Sequence, residues 1–426
     1  MNISFWLLVT LPLFPICLAA HSKAAEPQAK VLEYIDKIYE KNIKTAILFD
    51  GSMPIGNSPG TAAISMMQPR PLVLKFDEIN TDNADYYKAR IIHCDFEWSR
   101  SNLTDQQFLY EYNEFPIETY EFSVATKVHY THFTFPLPRV RLPGNYLLVV
   151  YRDTDIDDII ISKRFMVYDQ RVKIHGEPMS SGLAGRRTNQ QITFTIDYKG
   201  VPVSNPYLDI LVAVRQNQRW DNIITGLAPT MVRDDLRQME FRHLNFDNSF
   251  MAGNEFRFFD LRSIHFGGRN VDRIDVGKTQ IDAFLYLDKS RGTEPYTITK
   301  DLNGGYFIEN TESGNDLVET DYINTFFFLD MKGKTNDDIY IAGKLTDWDF
   351  SESNRMKYVE STGLYMGNLL LKQGLYDFIY YLPEKKDNPY LLEGSHFETI
   401  NEYEILVYFH DQLLNTDVLI GYVQLL

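Results

Sequence analysis

The clearest alternation of apolar and polar residues lies in residues 86–103, which read YYKARIIHCDFEWSRSNL. Residues 92–98 alternate with a period of two, which is typical of a half-buried strand. One face of this predicted strand carries Ile92, Cys94, Phe96 and Trp98, and the other carries His93, Asp95 and Glu97. Before residue 92 the apolar positions have the opposite parity, at Tyr87, Ala89 and Ile91. This change predicts a bulge or bend between Ile91 and Ile92.

Short segments of the same kind continue along the chain and are separated by turn residues. They predict strands over residues 43–49, 121–135, 146–151, 159–168, 191–198, 208–214, 256–261, 281–287, 324–331, 403–409 and 418–425. Residues 364–371 and 375–381 predict a hairpin. Aromatic residues make up 14% of the chain, and together with many β-branched residues they favour sheet over helix. The sequence therefore predicts an all-β fold of tandem β-sandwich domains, the last of them immunoglobulin-like.

With 426 residues, the chain is too long for one ordinary core. We expect a signal peptide over residues 1–24, an N-terminal β-sandwich over 25–170, a middle β-rich domain over 171–321 and an immunoglobulin-like domain over 322–426. The signal peptide is predicted from a short apolar run followed by small residues. Its removal would leave Cys94 without a disulfide partner, and we expect a buried, inert thiol there.

Charge and motifs narrow the possible functions. The formal net charge is −16, which disfavours a nucleic-acid partner because phosphate backbones repel acidic surfaces. No stretch after the signal peptide is long and apolar enough for a membrane span, so we expect no direct membrane insertion. The sequence contains no Gly-x-Ser-x-Gly motif, phosphate loop or dinucleotide fingerprint. We therefore expect a protein that is not an enzyme and has no cofactor.

Two acidic stretches raise the question of a metal site. His93, Asp95 and Glu97 on one strand face could hold a divalent cation, but spacing identifies no ligand from a second element. Residues 153–158 begin like a calcium loop, but Asp158 and Arg164 stand where that loop needs Gly and Glu. We favour a hydrogen-bonded polar face for the first stretch and a hairpin turn for the second, and predict no metal site.

A set of aromatic residues near the C-terminus has two interpretations. The set consists of Trp348, Tyr365, Tyr376 and Phe378. These residues could form a sugar-binding platform, or they could pack in the core of a small sandwich. We favour core packing, because aromatic residues dominate such cores.

Several stretches resemble a known family when they are taken together and in order. HCDFEWSRSNL (93–103), PLVLKFDEI (71–79), PGNYLLVVYRD (143–153), NPYLDILVAVRQNQRWDN (205–222) and AGNEFRFFDLRSI (252–264) resemble the plug protein of the type IX secretion system of certain Gram-negative bacteria. IYIAGKLTDWDF (339–350) and LLLKQGLYDF (369–378) also resemble early-set immunoglobulin-like modules related to glycogen-binding domains.

The resemblance implies a periplasmic protein on the periplasmic side of the outer membrane. Its partner would be the large outer-membrane translocon β-barrel, whose periplasmic opening it would seal when no cargo is exported. We expect a monomer within a hetero-complex. The alternative function is that of an envelope carbohydrate-binding protein that uses the C-terminal immunoglobulin-like module.

The candidate contacts with this partner come from two segments. Residues 51–71 form a long connection rich in Gly, Pro, Ser and Met, and such a connection is either an ordinary surface loop or a partner-binding loop. Its candidate residues are Met53, Met66 and Met67. The second segment contributes Trp98 and Arg100, and ordinary loop packing is the alternative for each residue.

Overall fold

The computed structural model describes residues 30–51, 60–79, 83–182 and 185–426, which form short strands in six sheets. The expected signal peptide and Met53 lie outside these residues. The all-β prediction is confirmed: the sheets pair into sandwich-like units, and the helices are single turns. Three such units make up the described part of the chain.

The first unit extends from residue 30 to residue 168. Its strands are β1 Lys37–Ile38, β2 Ile43–Asp50, β3 Ala63–Ser65, β4 Leu72–Ile79, β5 Tyr87–Cys94, β6 Phe115–Ile117, β7 Tyr120–Phe122, β8 Tyr130–Pro136, β9 Gly144–Arg152 and β10 Ile159–Tyr168. A short helix, α1, covers Asp105–Phe108. One sheet has the order β1-β10-β9-β5-β6, with β3 on β10, and the other has the order β2-β4-β8-β7. Their inner faces bury a shared core that includes Leu74, Phe76, Phe133 and Leu148.

The second unit begins at residue 173. Its strands are β11 Lys173–Ser180, β12 Asn189–Asp197, β13 Ile210–Gln216, β14 Ile224–Thr225, β15 Met231–Arg233, β16 Gln238–Phe241 and β17 Ser249–Met251. The helix α2 covers Pro206–Asp209, and a 3-10 turn covers Phe246–Asn248. One sheet has the order β11-β12-β16-β15, with β17 on β12.

The third unit follows. Its strands are β18 Arg257–Asp260, β19 Val271–Val276, β20 Ile281–Leu285, β21 Asp288–Lys289, β22 Tyr306–Ile308, β23 Tyr322–Asp330, β24 Tyr340–Ala342, β25 Lys357–Val359, β26 Leu364–Lys372 and β27 Gly374–Tyr381. A 3-10 turn covers Lys344–Thr346. One sheet has the order β19-β20-β23-β26-β25, with β21 on β23. The other has the order β18-β27-β22, with β24 on β27.

The last two strands are β28 Tyr403–Asp411 and β29 Thr416–Leu425. They do not belong to the same unit as the strands before them, although a single domain was expected over residues 322–426. They return to the second unit and complete its other sheet, in the order β14-β13-β28-β29. The register between β13 and β28 runs from Ile210↔Phe409 to Gln216↔Tyr403. Val212 and Val407 are buried in the core of the second unit. The third unit is therefore inserted between β17 and β28, because both segments bury their apolar faces in that one core.

The predicted hairpin over residues 364–381 is wrong. The strand β26 pairs with β23 and β25, whereas β27 pairs with β18, β22 and β24 in the opposite sheet. The chain crosses between the sheets at Gln373. The backbone amide of Gln373 donates to the carbonyl of Asp321 (2.9 Å), and the amide of Asp321 donates to Oε1 of Gln373 (2.8 Å). These two bonds hold the corner where a hairpin turn was expected.

The segment 86–103 also differs from its prediction. The register of β5 on β9 is continuous from Tyr87↔Arg152 to Cys94↔Asn145, so there is no bulge at Ile91. The apolar positions change from odd to even residue numbers because the second half of the strand is buried on both faces. Ile91 lies in the core between the two sheets of the first unit, and Ile92 lies in a second cluster with Leu32 and Tyr34. A turn follows Cys94, and there the Asp95 carboxylate accepts from the amides of residues 97 and 99.

Candidate functional site

The three units meet at a cleft with a volume of about 330 Å³. The first unit contributes Asp36, Thr61, Lys163 and Arg164. The second unit contributes Arg215, Gln218 and Trp220, and the third contributes Lys344, Asp347 and Trp348. The stretches QNQRW (216–220) and GKLTDW (343–348), which carry part of the family resemblance, therefore lie at the same place in the fold.

The two loops reach the cleft through unusual backbone geometry. Asn217 and Gln218 have φ values of 50° and 59°, and Asp347 and Trp348 have φ values of 51° and 56°. Residues other than glycine seldom adopt this left-handed region, so the surroundings must hold the loops there. The amide of Asn217 donates to the Glu402 carbonyl (2.8 Å), and that of Trp348 donates to the Gly343 carbonyl (3.1 Å).

Two arginines from different units stack on one tryptophan in this cleft. The guanidinium carbon of Arg215 lies 3.9 Å from the centre of the Trp220 ring, and that of Arg164 lies 4.4 Å from it. The Trp98 ring packs edge-on against Trp220 with a centroid distance of 4.9 Å. Because cations are attracted to aromatic faces, the stack joins the first and second units.

The cations of the stack also have carboxylate partners. Nε of Arg215 donates to Glu404 (2.9 Å), and both side chains are almost fully buried. Arg164 donates from Nε and one terminal nitrogen to Asp36 (3.3 and 3.1 Å). Burial lowers the pKa of Arg164, although Asp36 partly opposes that shift. Each carboxylate belongs to the same unit as its arginine, so these ion pairs hold the guanidinium groups in position against the Trp220 ring.

Lysines link the third unit to the other two. Lys163 lies 2.7 Å from the Asp347 carboxylate. Lys344 donates to Oε1 of Gln218 (2.9 Å) and to the Gly60 carbonyl (3.3 Å). Burial lowers the pKa of Lys344 to about 8. All three units are therefore connected by polar contacts across this one cleft.

A separate buried network joins the first and third units. The Asp77 carboxylate lies 2.7 Å from Nζ of Lys372 and 2.6 Å from Nδ1 of His132, and it accepts from the Tyr322 hydroxyl (2.7 Å). Burial alone would raise the pKa of Asp77, but Lys372 and His132 lower it below its usual value. Tyr130 packs edge-on against Tyr322 beside this network, with a centroid distance of 5.5 Å.

The first and second units share a third contact region. The Tyr408 hydroxyl donates to Oδ1 of Asn145 (2.8 Å), and the Phe96 ring packs on Tyr408 with a centroid distance of 5.0 Å. The Phe96 amide donates to Asp417 (3.1 Å). Buried polar bonds and apolar packing thus occur together at each contact between units. We infer that the described residues form one stiff body, because separating the units would leave buried charges unpaired.

The four candidate contact residues that the structure describes have different environments. Trp98 is half-buried and packs at the junction, whereas Arg100 is exposed beside α1. Met66 packs against the core of the first unit, and Met67 is 86% exposed. The structure therefore does not bring these residues together into one surface, and their role as contacts stays a prediction.

The residues considered for a metal site are also separated. Because β5 ends at Cys94, His93 lies inside the first unit while Asp95 caps the following turn. Nδ1 of His93 lies 2.9 Å from the Ser101 hydroxyl, and burial lowers the pKa of His93 to about 4. In the part of the chain that the structure describes, no group of three or more His, Cys, Asp or Glu residues could hold a metal ion.

The aromatic set at the C-terminus does not form an exposed platform. Tyr365, Tyr376 and Phe378 are all buried in the core of the third unit. The Trp348 ring is covered by the Arg219 guanidinium at 3.9 Å and packs against Phe256. These contacts match the core-packing interpretation and leave no flat exposed surface among the four rings for a sugar.

Sequence reasoning missed one exposed surface. Residues 110–124 carry large apolar side chains that are exposed, namely Tyr110, Tyr112, Tyr120, Phe122 and Val124. Three of them belong to or follow β7, which is an outer strand of its sheet. An apolar residue in an alternating segment is normally assigned to the core, so the sequence pattern gave no indication of this exposure.

Comparisons with known proteins give a family match over part of the chain and a solved structure with a similar fold. Residues 43–169 match the family model described as the type 9 secretion system plug protein 1st domain. The crystal structure of a hypothetical protein from Parabacteroides merdae is similar, with a TM-score of 0.86 and 25% sequence identity. The match covers 93% of this chain and 100% of that one, so it includes the arrangement of all three units. No curated protein sequence matches the chain.

Over residues 30–51, 60–79, 83–182 and 185–426, no helix has the length and apolar character needed to cross a bilayer.

Proposed function

We propose that this chain is a non-enzymatic periplasmic plug, because residues 43–169 match the family model described as the type 9 secretion system plug protein 1st domain. It binds the large outer-membrane translocon barrel and seals the periplasmic opening of that barrel when no cargo is exported. The family match is the observation that carries the proposal. The family also implies a location in the cell envelope.

The stiffness of the molecule supports a sealing role. A plug must keep its shape against an opening, and this shape depends on the contacts between units. The Asp77–Lys372 pair and the Arg164–Trp220–Arg215 stack both bridge units through buried groups. Opening the first contact would leave Asp77 and Lys372 without their partners, and opening the second would separate the Arg164 guanidinium from the Trp220 ring, so both contacts resist hinge motion.

The chemistry of the junction fits a structural role better than a catalytic one. The described cations of the cleft are held by carboxylates, aromatic rings or backbone carbonyls. Among the residues that the structure describes, no histidine lines the cleft. The only cysteine described, Cys94, is buried, and burial raises the pKa of its thiol to about 12, which keeps it protonated.

Release of the plug also constrains its contact with the barrel. Cargo export requires the plug to leave the barrel. The interface between plug and barrel should therefore be modest in area and partly polar rather than large and hydrophobic. The net charge of −16 gives the chain an acidic surface that suits a basic partner and association that depends on ionic strength.

Affinity purification from solubilised outer membranes tests the binding. A tagged full chain should recover a giant barrel protein in stoichiometric amount. Recovery of the tagged chain free in the periplasmic fraction, with no barrel under any export condition, would contradict the proposal. Deletion of the gene should make cells more permeable to bulky antibiotics, and a plasmid copy should restore the barrier.

A further inference from the structure

The outer edge of β7 leaves backbone groups available for another strand. In the ladder between β7 and β8, the Ser123 amide donates to the Tyr130 carbonyl (2.8 Å) and the Thr134 amide donates to the Thr119 carbonyl (3.0 Å). Bonded and non-bonded pairs alternate in an antiparallel ladder. The amides and carbonyls of Tyr120 and Phe122 therefore point away from β8. Among the described residues, no strand pairs with this edge.

Exposed aromatic rings lie between the core of the first unit and this edge. Tyr120 and Phe122 are each 47% exposed, and their rings meet edge-on with a centroid distance of 5.7 Å. The Tyr120 ring also lies 5.9 Å from the buried ring of Phe133. An added strand would therefore find both backbone partners and an apolar surface for alternate side chains.

The charge of the surroundings indicates the chemistry of the added strand. All the charged residues of segment 110–124 are glutamates, namely Glu111, Glu114, Glu118 and Glu121. Of these, Glu114 pairs with Lys88 (2.7 Å), whereas Glu118 and Glu121 are exposed beside the free edge. Extended segments that carry Lys or Arg are the complementary occupants.

We propose that β7 is the docking edge for an extended, basic segment of the translocon barrel, which adds to the β2-β4-β8-β7 sheet as a further strand. This inference rests on the proposed function. The edge lies within residues 43–169, the part of the chain that matches the plug domain. Because β7 is only three residues long, the added strand makes few backbone bonds, which suits a contact that must be released for export.

Site-specific crosslinking in living cells tests the location of the contact. The photoreactive amino acid p-benzoylphenylalanine would replace Tyr120 or Phe122 in the full chain. Matched control positions are Leu244 and Leu413, which are 96% and 98% exposed and lie in the second unit. We expect crosslinks to the barrel from residues 120 and 122 at tenfold or more above the controls.

The other outcomes of the crosslinking are distinguishable. If the barrel co-purifies but crosslinks equally at the control positions, or not at all at residues 120 and 122, the docking edge is wrong while the plug function stands. Crosslinks from these residues only to a second copy of the chain, or to another envelope protein, also overturn the inference. If no barrel co-purifies, the proposed function fails and the inference fails with it.

A proline substitution tests the backbone bonds. Phe122→Pro removes an outward amide that the fold does not use, because proline is tolerated on edge strands. Phe122→Ala removes the same ring but keeps the amide and is the matched control. We expect Phe122→Pro to reduce the co-purified barrel at least tenfold and Phe122→Ala to reduce it threefold or less, with melting temperatures within a few degrees of each other. Equal recovery of the barrel by both variants would overturn strand addition.

Discussion

Nζ of Lys372 lies 2.7 Å from the carboxylate of Asp77, and this ion pair joins the third unit to the first. Both side chains are nearly inaccessible, with exposed fractions of 3% and 1%. The pair sits among His132, Tyr322 and Tyr130, which supply hydrogen bonds and a cation–aromatic contact. A pair of this kind fixes the orientation of two units more than it adds net stability.

Breaking this pair on one side should be costly. Lys372→Met leaves the Asp77 carboxylate buried without its cation, and we expect the free energy of unfolding to fall by about 3–5 kcal/mol. The Asp77→Asn and Lys372→Met double variant should recover part of that loss. Denaturant titration of the single and double variants measures the coupling. A loss below about 1 kcal/mol in Lys372→Met would show that the pair does not hold the units together.

The stability of the third unit should depend on pH through Asp377. Burial and the nearby Asp301 raise the pKa of Asp377 to about 8 in the folded chain. A carboxyl with a raised folded pKa binds its proton more tightly when folded, so its stabilisation is complete below about pH 4. It is then lost as the pH rises through about 8, with a slope of up to about 1.4 kcal/mol per pH unit.

Asp377→Asn is the matched variant for this pH dependence. The amide does not titrate, and its oxygen can still accept from the Leu302 and Gly304 amides, as the carboxylate does. Between pH 5.5 and 7.5 the unfolding free energy of the wild-type chain should therefore fall more steeply than that of the variant. Parallel curves for the two proteins would contradict the raised pKa of Asp377.

The arginine–tryptophan stack should control how the first and second units are held. Trp220→Ala removes the ring between Arg164 and Arg215, and we expect a loss of about 2–4 kcal/mol, since part of the ring is exposed. Trp220→Phe keeps an aromatic face and should lose less. Small-angle X-ray scattering should show a larger radius of gyration for the alanine variant only. Identical scattering from all three proteins would show that the stack does not fix the arrangement.

Cys94 should react only when the chain unfolds. Its side chain is fully buried, and the raised pKa keeps the thiol protonated at neutral pH. In a chain without Cys17, a thiol reagent should therefore label the native protein at the rate of opening and the denatured protein at once. Stoichiometric labelling within minutes in native buffer would contradict the burial of this residue.

The sequence predicted the positions of the strands much better than it predicted which strands pair with each other. The alternation of Ile192, Phe194 and Ile196 identified β12, because every second residue of that strand faces the core of the second unit. A period of two does not say which strand lies alongside. It therefore could not show that β28 pairs with β13, or that β26 and β27 belong to opposite sheets.

The candidate site shows the same limit. The residues near Trp98 were singled out as a family marker, but the packing of that ring depends on Trp220 of another unit. Sequence spacing cannot bring together residues so far apart in the chain. Tyr120 and Phe122 alternate as core residues do, and only the three-dimensional position of β7 at a sheet edge reveals their exposure.

If the chain closes the translocon barrel as proposed, it should block the ionic current through the purified barrel. The barrel would be inserted into a planar lipid bilayer and its open current recorded before and after the full chain is added on the periplasmic side. We predict that the large conductance falls to near the bilayer background when the chain is present and that it recovers when the chain is washed out at high salt. A current that is unchanged at concentrations where the chain binds the barrel would contradict the sealing function.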